Sequence, residues 1–244
     1  MGKVYAASDL HGVYPIFEQI KNFLQSDDKC YVLGDCADRA SEGWRIIKEV
    51  IKDERFIYIR GNHEQMLIDA ANQYNRYGDY YSDEYHLLVS NGGEQTYLDW
   101  SYATYRMEWI KKLEELPTHE IYINTQGQKV RLSHAGYNID YYEGLEVPLE
   151  DDLLWDRYHI RLSYWDEEKY PNDVIVHGHT PTLHVDLELH AKKFTDKEME
   201  PGAYWYCNDH KVCIDNGTYA TGYAVLLDLD TWEEHIFVCE NFVA

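Results

Sequence analysis

The chain has 244 residues, 45% hydrophobic and 27% charged, which suits a water-soluble domain with a substantial core. No apolar run approaches the roughly eighteen residues of a membrane-spanning helix, and the start Lys3-Val4-Tyr5-Ala6-Ala7 runs into a strand without the pattern of a signal peptide. A formal net charge of -22 repels nucleic acid and anionic membrane out to about 8–10 Å at ordinary ionic strength, and no basic track offsets it.

Taken in chain order, the first sixty residues alternate. Strands are predicted at Lys3–Ser8, Tyr31–Gly34 and Phe56–Ile59, with helices at Tyr14–Leu24, Glu42–Ile51 and from His63 onward. That β-α-β-α-β-α rhythm implies parallel strands joined by helical crossovers. Residues 72–116 read as a helical, tyrosine-rich insert, with Tyr74, Tyr77, Tyr81 and Tyr85 along one helical face and packed on the main body, although Gly78 weakens the helix. Beyond Pro117 strands return at Glu120–Ile123, Lys129–Ser133, Val174–His177, Val212–Asp215, Ala224–Leu229 and His235–Cys239, and a second sheet is expected from them. Lys192–Asn208 is charged, contains Pro201-Gly202, and reads as a surface excursion. With no linker or repeat, residues 1–244 are expected to form one domain.

Polar motifs fall where strands end. Asp9-Leu10-His11-Gly12 follows the first strand, and residues two apart on a strand point the same way, so Asp9 and His11 can reach one ion together. Gly34-Asp35-Cys36-Ala37-Asp38-Arg39 closes the second strand and Arg60-Gly61-Asn62-His63-Glu64 the third. Ser133-His134-Ala135-Gly136 and His177-Gly178-His179-Thr180-Pro181 follow later. Carboxylate, imidazole and amide oxygen suit manganese, iron or zinc, and six such ligands with one shared carboxylate could hold two ions about 3.5–4 Å apart. Taken singly, Asp9 or Asp35 would be a helix cap and Asn62 a turn residue; the set as a whole raises the metal reading.

These five blocks, in this order, resemble the calcineurin-like metallophosphoesterases, and within them the phosphoprotein phosphatase branch with its bacterial and phage serine/threonine phosphatases. Softer matches are Asn91-Gly92-Gly93, Asp152-Leu153-Leu154-Trp155-Asp156-Arg157 and Ile214-Asp215-Asn216-Gly217. The resemblance implies an α/β fold with a two-sheet β-sandwich flanked by helices in four layers. It implies that Asp9, His11 and Asp35 bind one divalent ion, and that Asp35, Asn62, His134 and His179 bind a second, manganese being the expected metal with iron or zinc as alternatives. A hydroxide bridging the two ions would attack phosphorus, Arg39 and Arg157 would grip the phosphate, His63 would protonate the leaving oxygen, and Asp38 would orient His63. Asn62 and His63 would also border the substrate, and Arg60 would play a supporting part.

The chain departs from the family pattern at Ala40, where glycine is usual, and at Ala37, where valine is common; altered loop packing without loss of metal is expected. His86, His119, His159, His184, His190, His210 and His235 read as ordinary surface or core histidines, and His177 as a supporting neighbour of His179. Asp215-Asn216-Gly217 reads as a turn between strands. The five cysteines, odd in number and without a CxxC pair, read as reduced and mostly buried thiols of a cytoplasmic protein, with Cys36 as packing. Two dications with Arg39 and Arg157 outweigh Asp9 and Asp35, so a positive pocket is expected in an acidic protein. The substrate would be a phosphorylated protein or peptide, or a small phosphoester, with no nucleic-acid scaffold and no membrane. A dinucleoside polyphosphate such as diadenosine tetraphosphate is the competing substrate; that branch often lacks the aspartate found here as Asp38. A non-catalytic scaffold would have a damaged ligand set, and none is seen; Arg39 and the acidic surface count against a nuclease.

Overall fold

The computed structural model describes residues 2–78, 81–137, 149–161, 165–182 and 201–239. Two five-stranded mixed sheets lie against each other with helices on the outer faces. In the first, β1 (Val4–Ala7), β2 (Lys29–Leu33) and β3 (Phe56–Ile59) run parallel, while β9 (Tyr223–Asp228) pairs antiparallel with β1 and β10 (Glu234–Val238) antiparallel with β9. The second has the order β4-β5-β6-β8-β7, where β5 (Lys129–Ser133), β6 (Asp173–His177) and β8 (Lys211–Cys213) are parallel. Its edges β4 (His119–Ile123) and β7 (Tyr204–Tyr206) are antiparallel.

The layering follows from the two-residue period of the strands. Tyr5 and Ala7 of β1, and Cys30 and Val32 of β2, face the helices, while Ala6, Tyr31 and Leu33 face the other sheet. Val130 and Leu132 of β5 and Val174 and Val176 of β6 meet them from the second sheet, whereas Ile175 faces outward onto Tyr137, Leu153 and Trp165. Both faces of β1 and β2 are therefore apolar, as expected where a sheet is covered on both sides, whereas the outer face of β5 carries Arg131, paired with Asp173 of β6 at 2.6 Å.

On the first sheet α1 (Tyr14–Phe23) buries Ile16, Phe17 and Ile20, and α2 (Gly43–Lys52) buries Trp44, Ile46, Ile47 and Val50, each on one stripe of an otherwise polar helix. α3 (Asn62–Tyr77) ends where Gly78 takes a left-handed φ of 69°. That stop breaks the predicted tyrosine face. Tyr74 and Tyr77 lie on α3, Tyr81 in the following turn, and Tyr85 on α4 (Asp83–Ser90). Tyr74 and Tyr85 pack on the core, against Trp100 and Tyr97, whereas Tyr77 and Tyr81 are largely exposed. α5 (Glu94–Ser101) and α6 (Arg106–Glu114) complete the helical segment, with Trp100 fully buried and its indole N–H donating to the Arg106 carbonyl at 3.0 Å.

Two further expectations need correction. Residues 201–208 of the supposed surface excursion carry β7, with Tyr204 and Tyr206 buried against Cys213 and Ile160; residues 192–200 lie outside the described residues, as do His184 and His190. The turn at Asp215-Asn216-Gly217 leads into a short helix, α8 (Thr218–Thr221), before β9 begins, so it does not join two strands directly. A separate short helix, α7 (Glu150–Trp155), had no sequence expectation. Among the described residues no helix is long and apolar enough to cross a membrane. All five cysteines are free thiols, and Cys30, Cys36 and Cys213 are buried.

Leu132 is fully buried between the sheets. Leu132→Ala is expected to lower unfolding stability by about 2–5 kcal/mol, read as a shift of the urea midpoint at unchanged slope; a loss well under about 1 kcal/mol would show that this layer is not packed to interior density.

Candidate metal centre

Six residues expected as metal ligands stand just past the carboxyl ends of strands: Asp9 and His11 after β1, Asp35 after β2, Asn62 after β3, His134 after β5 and His179 after β6. Both parallel strand sets end at the same edge of the sandwich. Cross-connections hold the loops together there. The His134 imidazole bonds the Leu33 carbonyl at 2.7 Å, Gly178 N–H donates to His134 O at 2.8 Å, and His11 N–H donates to Asp35 O at 2.9 Å.

Left-handed backbone marks the site. Of the eleven non-glycine residues with positive φ among the described residues, six are Asp9 (53°), His11 (41°), Asp35 (54°), Asp38 (69°), Arg39 (66°) and His179 (66°). Each such residue costs about 1–3 kcal/mol and persists only where its surroundings over-determine it. Glu64 supplies much of that determination. Its fully buried carboxylate accepts N–H groups from Asp35 (2.8 Å), Cys36 (3.0 Å), Ala37 (3.1 Å) and Gly61 (3.0 Å). It thus ties the loop after β2 to the loop after β3. Gly61 has to be glycine, because a Cβ there would run into the Asp35 carboxylate and the Asp35 nitrogen.

Asp35 lies at the centre. Its Oδ2 is 3.7 Å from His11 Nε2, 3.8 Å from His63 Nε2 and 3.4 Å from His134 Nε2. Ligand atoms of His11, Asp35 and His63 fall within 4.8 Å of one another, as do those of Asp35, His134 and His179. Asp35 belongs to both groups, which is the arrangement a bridging carboxylate needs. Asp9 Oδ1 is 3.9 Å from His11 Nε2, while its Oδ2 accepts the His179 N–H at 3.0 Å and the Ser8 hydroxyl.

The donor set fits a cation. His134 Nδ1 faces the Leu33 carbonyl and must carry the proton, so in the neutral ring Nε2 presents a lone pair. That lone pair is 2.9 Å from Asn62 Oδ1 and 3.0 Å from His179 Nδ1, and these last two are 3.0 Å apart. Three polar atoms this close form a donor set that a divalent ion would satisfy together. The proton equilibria point the same way. Burial pulls His134 down, but the charges of Asp35 and Asp9 outweigh it and lift it to about 10. Burial first, and then the neighbouring cations, hold His11 and His179 well below the usual histidine range. Burial would raise Asp35, yet His134, His63 and His11 hold it well below the usual carboxylate range.

His63 stands apart from the ligands in one respect. Its Nδ1 is bonded to Asp38 Oδ2 at 2.7 Å, leaving only Nε2 to face Asp35. Burial lowers His63, but the Asp35 charge and the Asp38 hydrogen bond overcome it, and its pKa rises. Burial raises Asp38, partly offset by His63. Arg39 is exposed at the rim, and its charge is felt by both His11 and His63. Arg157, also exposed, donates from a guanidinium nitrogen to the His179 carbonyl at 3.3 Å, which sets it beside the second ligand group. Arg60 turns away to pair with Glu150 at 2.5 Å.

Several residues had no assignment from the sequence. Glu64 was visible only as the last letter of its motif. Asp215, read as a turn residue, does accept the Gly217 N–H at 2.7 Å, but it is also buried, and burial followed by the Asp9 charge raises it well above the usual range. His177 does not touch the ligands; it packs in the interior with Nε2 bonded to the Tyr206 hydroxyl at 2.7 Å, and burial takes it down to about 3. His159, fully buried, packs edge-on against it. Cys36 is buried packing, and burial raises its thiol pKa well above the usual range. Ala37 offers its carbonyl to His11 Nδ1 at 3.0 Å, a backbone contact that the departure from valine leaves in place.

The chain is similar to several known proteins. The chain is 29% identical over 163 residues to serine/threonine-protein phosphatase 2 of Salmonella typhimurium, covering 63% of this chain and 67% of that one. A solved structure provisionally assigned as a diadenosine tetraphosphatase superposes with a TM-score of 0.61 at 14% identity, over 98% of this chain and 95% of the other. A protein serine/threonine phosphatase from Saccharomyces cerevisiae gives 0.57 at 13% identity, over 100% and 81%. A cold-active protein-tyrosine phosphatase of a psychrophilic Shewanella gives 0.53 at 15% identity, over 98% and 78%. These structural likenesses establish the two-sheet fold. The profile of the calcineurin-like phosphoesterases matches residues 2–217, and the chain belongs to that family.

Proposed function

We propose that this phosphoesterase is a serine/threonine protein phosphatase, hydrolysing phosphate monoesters of protein serine and threonine. The observation that carries this reading is the 2.7 Å contact between Asp38 and His63, beside the carboxylate shared by the two ligand groups. An imidazole whose far nitrogen donates to a buried carboxylate is stabilised in its doubly protonated form, so that the near nitrogen also carries a proton, where a leaving alkoxide needs it. The Salmonella phosphatase is a relative in sequence that supports the same choice.

Asp9, His11 and Asp35 would hold one divalent ion, and Asp35, Asn62, His134 and His179 the other. Two such ions supply an activated water at neutral pH and neutralise charge on the phosphoryl oxygens. The chain's own residues do the rest. Arg39 and Arg157 orient the phosphate from opposite sides of the centre, guanidinium groups being suited to paired contacts with its oxygens. His63 gives its Nε2 proton to the serine or threonine oxygen as the P–O bond breaks, and Asp38 stabilises the charged ring before that transfer. Manganese is the metal expected to support turnover. The free thiols are in keeping with a cytoplasmic enzyme, the location expected for it.

Asp35→Asn and His63→Asn are both expected to reduce kcat at least a hundredfold, but only Asp35→Asn should lose bound metal, as measured by elemental analysis of the purified protein. Equal metal loss in both would make His63 a ligand and not the proton donor. Manganese-dependent, chelator-sensitive phosphate release is expected from a phosphothreonine peptide in preference to diadenosine tetraphosphate, measured side by side. The reverse preference would make the protein a dinucleotide hydrolase.

A further inference from the structure

The loop carrying Asp38 and Arg39 is strained and does not hold itself in place. The two residues are consecutive in the left-handed region, at φ 69° and 66°, a conformation that L-residues avoid. Both of their amide groups are bonded to the helical segment. Asp38 N–H donates to the Thr96 hydroxyl oxygen at 3.0 Å, and Arg39 N–H donates to the Gly92 carbonyl at 2.9 Å. Thr96 is buried in the first turn of α5, and Gly92 sits in the turn between α4 and α5 with φ 89°. The packing is as close as the hydrogen bonding. A Cβ on Gly92 would lie 3.3 Å from the Arg39 Cα, and one on Gly93 would lie 3.0 Å from the Asp38 carboxyl carbon.

We infer that the α4–α5 turn is a positioning element for catalysis, with Thr96 setting the Asp38 carboxylate against His63 and Gly92 setting the Arg39 backbone at the phosphate rim. This rests on the proposed roles of Asp38, His63 and Arg39, and it gives the helical insert a task beyond covering the core. Thr96 touches no ligand residue and no substrate; it acts through Asp38. Misplacing a proton donor by a fraction of an ångström lowers turnover without removing the metals.

The test uses p-nitrophenyl phosphate with manganese, so that it does not depend on which natural substrate is right. Thr96→Val keeps the side-chain shape but removes the acceptor. It should lower kcat about tenfold or more with bound metal unchanged, and Thr96→Ser should restore most of the loss. In an Asp38→Asn background the same Thr96→Val change should cost less than about twofold, because its route to the reaction is already cut. An equal loss in both backgrounds, or a wild-type kcat in Thr96→Val, overturns the inference. Should Thr96→Val fail to fold, Gly92→Ala decides: a severalfold rise in KM supports the inference, and a wild-type KM overturns it. If Asp38→Asn alone keeps wild-type turnover, the dyad itself is misassigned and this inference falls with it; a crippled Asp38→Asn beside an unaffected Thr96→Val removes only the positioning role.

Discussion

The site depends on one buried carboxylate that is not itself expected to touch a metal. Glu64 accepts four backbone N–H groups, three from the Asp35–Ala37 loop and one from Gly61. Without it those donors would be stranded in the interior, each at a cost of about 1–3 kcal/mol, and the left-handed turn at Asp35 would lose its support. The consequence spreads outward. Asp35 is the carboxylate common to both ligand groups, Ala37 orients His11 through its carbonyl, and Gly61 precedes Asn62 and His63. One side chain thereby ties the geometry of the first ligand group to that of the second.

Electrostatics sets the second constraint. The protein carries a net charge of -22, yet its centre gathers three imidazoles, an amide oxygen and two carboxylates that face one another. Such a set is unfavourable until positive charge enters, as the elevated His134 shows. With divalent ions present, the pocket becomes a local sink for a phosphate dianion in a molecule that otherwise repels anions.

The fold alone does not choose the substrate. Structures with the same two-sheet architecture include a protein serine/threonine phosphatase, a protein-tyrosine phosphatase and a provisionally assigned diadenosine tetraphosphatase. What can differ among such proteins is the material around the rim. Here that rim includes the α4–α5 turn under Asp38 and Arg39, and the α7 segment, whose Leu153 carbonyl takes the Ala135 N–H at 2.8 Å and whose Arg157 reaches the His179 loop.

Much of the architecture was legible from residues alone because it is local. The two-residue alternation of β1, β2 and β3 and the helical stripes of α1 and α2 follow from neighbouring side chains. Each motif sits at a strand end, so five short blocks carry the six expected ligand residues that the fold brings to one sheet edge. Tertiary structure decided what joins residues distant in sequence. Thr96 meets Asp38 across 58 residues and Glu64 meets Asp35 across 29, and neither contact leaves a periodic or compositional mark. Gly78 could be seen as a weak point, but only the packing of Tyr74 on Trp100 and Tyr85 on Tyr97 shows why the chain breaks there into two helices. Asp215 looked like a turn residue and is one, yet its burial beside Asp9 comes from β8 ending at the same sheet edge as β5 and β6. Local patterns specify which residues end a strand; only the pairing of strands specifies which ends meet.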